Sequence, residues 1–158
     1  AHMRIRSYHS DDCQAILSLF YETVHRINRR DYTQEQIEAW ANNNKIDPIA
    51  WDLSLIHHKT LVAEMSGIIV GFGDLNGNFL DRLYVHAEYQ RRGIATAIMD
   101  RLELYVAEQN YVTIVTHATI TAYPFCRDRN YQLVKEQQVE RHGVFLKNMI
   151  MQKKLDIK

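Results

Sequence analysis

Apolar and polar positions change their period several times along the chain, and each change marks a new element. Ile5 alternates with polar neighbours as a short strand does. Ser10 and Asp11 then supply cap-type residues ahead of Ile16, Leu17, Phe20 and Val24 at helical spacing, so a helix follows. Thr33-Gln34-Glu35-Gln36 fits a capping box, and Ile37, Trp40 and Ala41 give the next short helix an apolar side. Residues 42–48 form a polar break, and the stretch around Trp51, Leu53 and Leu55 reads equally as a helical turn or a loop. Residues 60–64 and 68–72 are β-branched or apolar runs joined at Met65-Ser66-Gly67, which is a hairpin signal. Asn76-Gly77-Asn78 is a second turn, leading into residues 79–85, so the centre reads as an antiparallel meander.

After Gly93 the period turns helical again. Ile94, Ile98, Leu102, Tyr105 and Val106 make 94–108 the clearest helix in the chain. A continuous buried strand is expected over 112–116, a short helix over 121–129, and two closing strands over 133–139 and 144–151 around His142-Gly143. No repeat, linker or low-complexity segment interrupts this order, and 158 residues is the ordinary size of one domain. Ala1 and His2 before Met3 look like an expression-tag remnant, so the domain is read as 3–158.

Charge removes one class of partner. Nineteen Lys plus Arg balance nineteen Asp plus Glu, leaving no global positive field to hold nucleic acid. Cys13 and Cys126 follow no metal-ligand spacing, so no metal is expected. The opening MRIRSYHSDD has neither the apolar core of a signal peptide nor a lipidation signal, which makes a reduced cytoplasm the expected compartment. No apolar run approaches the roughly 20 residues that span a bilayer, so no membrane partner is expected.

The candidate chemistry lies between the strand ending at Val85 and the long helix, in Gln90-Arg91-Arg92-Gly93-Ile94-Ala95. A loop opening a helix aims several backbone N–H groups and the positive end of the helix dipole at one point, which suits a pyrophosphate. Gly93 leaves no Cβ in the way, and Arg91 and Arg92 add charge around the nest. An Arg-Arg-Gly turn before a helix also arises as a plain solvated cap.

Context separates the two readings. LDRLYVHAEYQRRGIATAIMDRLE resembles the acetyl-CoA-binding core of GCN5-related N-acetyltransferases (GNAT), whose signature is Gln/Arg-x-x-Gly-x-Gly/Ala after a strand carrying Leu-x-Val. EMSGIIVGFGDL is similar to that family's central hairpin, and TITAYPFCRDRNYQLV to its later helix and strand, so the resemblance covers about residues 60–155. It implies a mixed α/β fold: a largely antiparallel central sheet flanked by helices and splayed between the strands near Val85 and near Val115, where acetyl-CoA enters as co-substrate. Paired subunits are common among similar proteins, so the resemblance also carries a homodimer as an expectation.

In similar proteins the pantetheine arm pairs with the strand corresponding to Leu83, Tyr84 and Val85 as if it were another strand. By analogy the backbone N–H of Val85 faces the thioester oxygen and stabilises the developing negative charge. The pyrophosphate is expected over the backbone of Arg91, Arg92, Gly93, Ile94, Ala95 and Thr96, with Gln90 shaping the turn. An amine arrives as an ammonium and must lose a proton. Glu64, Asp81, His86 and His117 are the candidate bases, of which Asp81 on the core strand and His117 at the end of the neighbouring strand are favoured. The family's usual Tyr acid aligns with Cys126, so Tyr123, three residues away, and Cys126 share the candidacy for protonating the leaving thiolate. Asn130 stands where relatives usually have Gly, and Asn tolerates the left-handed backbone.

The first two helices of similar folds form a wall of the acceptor cleft, which makes His25, Arg29 and Tyr32 candidate contacts for a small-molecule or peptide amine, while Phe20 and Trp40 read as core. The rival function is an acyl-CoA-binding module that senses cofactor without turning it over, a reading favoured by Cys126 in place of Tyr.

Overall fold

The computed structural model describes residues 2–156; Ala1 of the expected tag remnant, and residues 157–158 of the expected domain, lie outside them. The elements run β1 (Met3–Ser7), α1 (Cys13–Arg26), α2 (Gln34–Trp40), α3 (Pro48–His57), β2 (Lys59–Met65), β3 (Ile68–Asn76), β4 (Phe79–Val85), α4 (Ile94–Glu108), β5 (Thr113–Thr119), α5 (Tyr123–Asp128), β6 (Gln132–Arg141) and β7 (Val144–Lys154). The strands form one seven-stranded sheet in the order β1-β2-β3-β4-β5-β7-β6. Every pairing is antiparallel except β4 with β5.

Local chemistry explains most boundaries. The Thr33 side chain accepts from Gln36 N–H and Gln36 returns the bond to Thr33 N–H, the reciprocal cap that starts α2. Ser66 and Gly67 at φ 52° and 78° make the two-residue turn that joins β2 to β3. The stretch around Trp51 is helical: Asp47 caps α3 by accepting from Ile49 and Ala50 N–H, and Pro48 sits in its first turn. Its apolar residues are spread round the helix, with Leu55 buried while Ile49, Leu53 and Ile56 are exposed, and this blurs the 3.6-residue period. The strand expected to be continuously buried alternates instead. Ile114, Thr116 and Ala118 are buried on one face of β5, whereas Val115, His117 and Thr119 face the other way.

Helices cover both faces of the sheet. On one side Ile94, Ile98, Leu102 and Val106 of α4 pack on Val70, Leu75, Ile114 and Met151. On the other, Phe20, Val24, Ile37 and Leu146 form one cluster and Ile16, Leu19, Val62 and Phe72 another. The first packing fixes where α4 begins. A Cβ on Gly71 would stand 2.8 Å from Ile94 Cγ2, and one on Gly73 would stand 3.0 Å from Ile98 Cγ2, so β3 offers bare backbone beneath the first turns of α4.

Candidate active site

One irregularity in β4 opens the sheet. Its register with β3 passes from Asp74↔Arg82 to Leu75↔Leu80, which leaves Asp81 as an extra, bulged residue. Pairing with β5 ends at the same place, after Phe79↔Val115 and Leu80↔Thr116. Val115 therefore stands where the two strands are still joined, and the splay lies beyond it, between residues 81–85 and 117–119. A cleft of about 780 Å³ occupies this gap.

The bulge also reorients the strand backbone. His86 N–H donates to Val70 O at 2.8 Å, toward β3. By the alternation of an antiparallel pair, the backbone groups of Leu83 and Val85 face the opposite way, into the gap. The Val85 carbonyl is held there by Thr23 Oγ1 at 3.0 Å and Gln90 Nε2 at 2.7 Å. Its N–H faces the cleft with no strand across from it, because β5 has already diverged. Leu83 packs its side chain on the α4 core. The Tyr84 ring meets Phe20 edge-on at 5.1 Å, and burial raises its pKa.

The loop before α4 turns twice through left-handed geometry, at Arg91 (φ 62°) and Gly93 (φ 77°). The first bond of α4 is Ala97 N–H to Gly93 O, so the N–H groups of Ile94, Ala95 and Thr96 precede it and are free for a ligand at the helix N-terminus. A Cβ at Gly93 would meet no protein atom within 4 Å, so it is the positive φ that calls for glycine. Gln90, Arg91, Gly93, Ile94, Ala95 and Thr96 all line the cleft. Arg92 does not; its guanidinium lies over the Tyr89 ring at 4.9 Å.

The four candidate bases separate. Glu64 pairs with Arg6 Nε at 3.2 Å on the outer strands, and His86 accepts Glu88 N–H at 3.0 Å; neither lines the cleft. Asp81 and His117 both do. The His117 ring sits edge-on to Phe79 at 4.9 Å, with Nδ1 3.2 Å from Gln137 Nε2. Asp81 is 40 % exposed, and its pKa is raised first by burial and then by the Asp74 carboxylate, against the opposing charges of Arg82, His58 and Arg141.

Behind Asp81 stands a network that sequence reasoning missed. Asp74 is fully buried, and its Oδ2 receives His58 Nδ1–H at 2.8 Å and Arg82 Nε–H at 3.0 Å. Arg82 continues to Ser54 Oγ at 2.8 Å and lies over the Trp51 ring at 4.7 Å. Asp81 Oδ2 is 3.8 Å from both His58 Nδ1 and Arg82 Nε. His58, Asp74 and Asp81 offer three ligand-type atoms within 4.8 Å, but the Arg82 guanidinium already neutralises Asp74 and would oppose a cation. The visible signal was the Asp inside the otherwise apolar GFGDL.

Cys126 lines the cleft and Tyr123 does not; Tyr123 packs against the core with Arg127 over its ring. Burial pushes the Cys126 thiol up to about 11, so donation to a thiolate of ordinary pKa, about 8.5, runs uphill. Asn130 takes the left-handed geometry at φ 73°. Of the three acceptor candidates only Tyr32 lines the cleft, and its hydroxyl is committed: it donates to Lys147 O at 2.7 Å and accepts Ile120 N–H at 2.9 Å. His25 ties α1 to Ala41 O at 2.8 Å, and Arg29 is exposed outside the cleft. Trp40, expected in the core, is half-buried and lines the cleft beside Tyr32.

Residues 28–153 match the family model described as acetyltransferase (GNAT) domain. The chain is 33 % identical over 152 residues to the uncharacterized N-acetyltransferase YafP of Escherichia coli K12, covering 96 % of each. It is similar to a GCN5-related N-acetyltransferase structure from Rhodopseudomonas palustris, with TM-score 0.93 and 29 % identity over 98 % of this chain and 97 % of that one. It shares its fold with the PaiA N-acetyltransferase from Thermoplasma acidophilum in complex with coenzyme A, with TM-score 0.76 and 17 % identity over 98 % and 99 % of the two chains.

Proposed function

The chain belongs to the GNAT acetyltransferase family, and from that premise we propose that residues 3–158 act as one cytoplasmic acyltransferase domain, moving the acetyl group of acetyl-CoA to a primary amine in a ternary complex. The observation that carries this reading is the convergence on one cleft of two sets of unpaired backbone donors: Val85 N–H on the parted edge of β4, and the N–H groups of Ile94, Ala95 and Thr96 at the start of α4. These groups fit acetyl-CoA, because a helix N-terminus suits a pyrophosphate and a strand edge suits the amide-bearing pantetheine arm. The coenzyme A held by the Thermoplasma acidophilum neighbour supports the same assignment.

Bound acetyl-CoA supplies a thioester carbonyl. Val85 N–H stabilises the oxygen of that carbonyl as the amine attacks. Asp81 takes the ammonium proton, helped by the raised pKa that makes it a stronger base than a free aspartate. The His58 and Arg82 side chains stand behind its carboxylate, each 3.8 Å away. The new C–N bond forms, the nitrogen gives its second proton to water in the open cleft, the C–S bond breaks, and the departing thiolate takes a proton back from that water, since Tyr123 lies outside the cleft and the Cys126 thiol is a weak acid.

Release of the CoA thiol in the presence of an amine panel tests the proposal. Amine-dependent release is expected, together with an acetylated amine by mass spectrometry. Tight acetyl-CoA binding without turnover on any amine would instead favour the sensor reading, which Cys126 at the acid position supports. For the expected homodimer, light scattering is the direct measurement.

A further inference from the structure

We propose that the acceptor is an amine that also carries a carboxylate, with Arg141 as the residue that recognises that carboxylate and an apolar body seated between them. This inference rests on the acetyltransferase reading and adds the substrate class. The far wall of the cleft is aromatic and aliphatic, built from Tyr32, Trp40, Phe79, Val139 and Leu146, which suits an apolar body. Tyr32 and Trp40 meet edge-on at 5.2 Å, so this wall is prepacked.

The charges in the cleft are unequal in their freedom. Arg82 is held by Asp74, and Lys147 by Glu136. Arg30, Arg91 and Arg141 have no carboxylate partner among the described residues, and Arg91 belongs to the loop before α4; Arg141 makes one hydrogen bond, to the carbonyl of Glu140. It lies two residues from Val139 on β6, and so on the same face, which is the face toward the cleft. The hairpin that follows is anchored to α2 by His142 Nδ1, 2.9 Å from Ala39 O, so the guanidinium hangs from a fixed point. Arg141 also bears on Asp81 through its charge, which puts the two within electrostatic reach.

Asn148 adds a second polar anchor. It lines the cleft from β7, and its Oδ1 is buried without a hydrogen-bond partner among the described residues. A buried carbonyl left unpaired is costly, and an N–H of a bound amine relieves that cost. The cleft thus offers Asp81 and Asn148 to an amine and Arg141 to an anion. A polyamine would instead meet Arg30, Arg91 and Arg141 as like charges.

The experiment measures kcat/KM by CoA release on phenylalanine, phenethylamine, tryptophan, tryptamine and spermidine, for the wild type, Arg141→Ala and Arg141→Lys, with thermal melts confirming folding. The expected result is that each amino acid outperforms its decarboxylated twin. Arg141→Ala raises KM for the amino acids about tenfold, the loss of one partly exposed charge-assisted pair. KM for the twins, which bring only a cation, does not rise with it, and Arg141→Lys restores part of the difference. Three results overturn the inference: preference for spermidine or the twins, an amino-acid preference that survives Arg141→Ala, or acetyl-CoA binding with no turnover of any of the five. Failure of acetyl-CoA to bind at all overturns the acetyltransferase reading instead.

Discussion

The two ends of the cleft are built from different material. At the end beside α4, the proposed phosphate site, the free donors are backbone N–H groups from a single stretch of chain, and no one side chain decides their position. At the acceptor end the groups are side chains drawn from β4, β5, β6 and β7, brought together only by the sheet. The first arrangement resists side-chain substitution and responds to changes in backbone geometry. The second leaves the backbone alone and can be retuned one residue at a time.

The largest effect predicted at the acceptor end is that of Asp81→Asn. Losing a positioned base lowers kcat by about a hundredfold or more. Because burial and Asp74 raise the Asp81 pKa, the acid limb of the wild-type kcat/KM profile should lie above the ordinary aspartate range, and the variant should lack it. The same shift sets the sign for stability. A carboxyl whose pKa is higher folded than unfolded favours the protonated fold, so its ionised form opposes folding at pH values above both. Asp81→Asn should therefore leave the neutral-pH melting temperature unchanged or higher. A variant that melted lower would mean that the carboxylate is structural.

Gly71→Ala probes the other end from a distance. The added methyl meets Ile94 Cγ2 at 2.8 Å, so the Ile94 side chain or the helix that carries it must shift, at a stability cost of about 1–3 kcal/mol read by urea unfolding. Acetyl-CoA affinity should fall with it where the N–H groups of Ile94, Ala95 and Thr96 move too. Affinity held at the wild-type value would separate the helix N-terminus from cofactor binding.

The same contrast explains what could be read before the fold was known. The loop at Gln90 to Thr96 is contiguous, so its strand, turn and helix signals sit side by side and their meaning survives without tertiary information. The capping box at Thr33 and the helix over Ile94–Glu108 were legible for the same reason. The His58–Asp74–Arg82 network was not, since it joins residues 8 and 16 positions apart across separate elements. Two of the three acceptor candidates, His25 and Arg29, lie outside the cleft for a different reason. Helical spacing identified an apolar face but gave no direction to His25 or Arg29, which turn to α2 and to solvent.

The smallest effect concerns the proton for the leaving thiolate. The double variant Tyr123→Phe, Cys126→Ala should keep turnover within about threefold of the wild type, a barrier change of about 0.6 kcal/mol. A loss of a hundredfold would return the general-acid role to one of these side chains.

Calorimetric titration with acetyl-CoA, run beside a folded Gly93→Val variant, tests the central claim most directly. Valine at φ 77° is strained by about 1–2 kcal/mol and distorts the donors that open α4. Saturable binding to the wild type is expected, weakened at least tenfold in the variant. No binding to the wild type, or equal binding to both proteins, would contradict it.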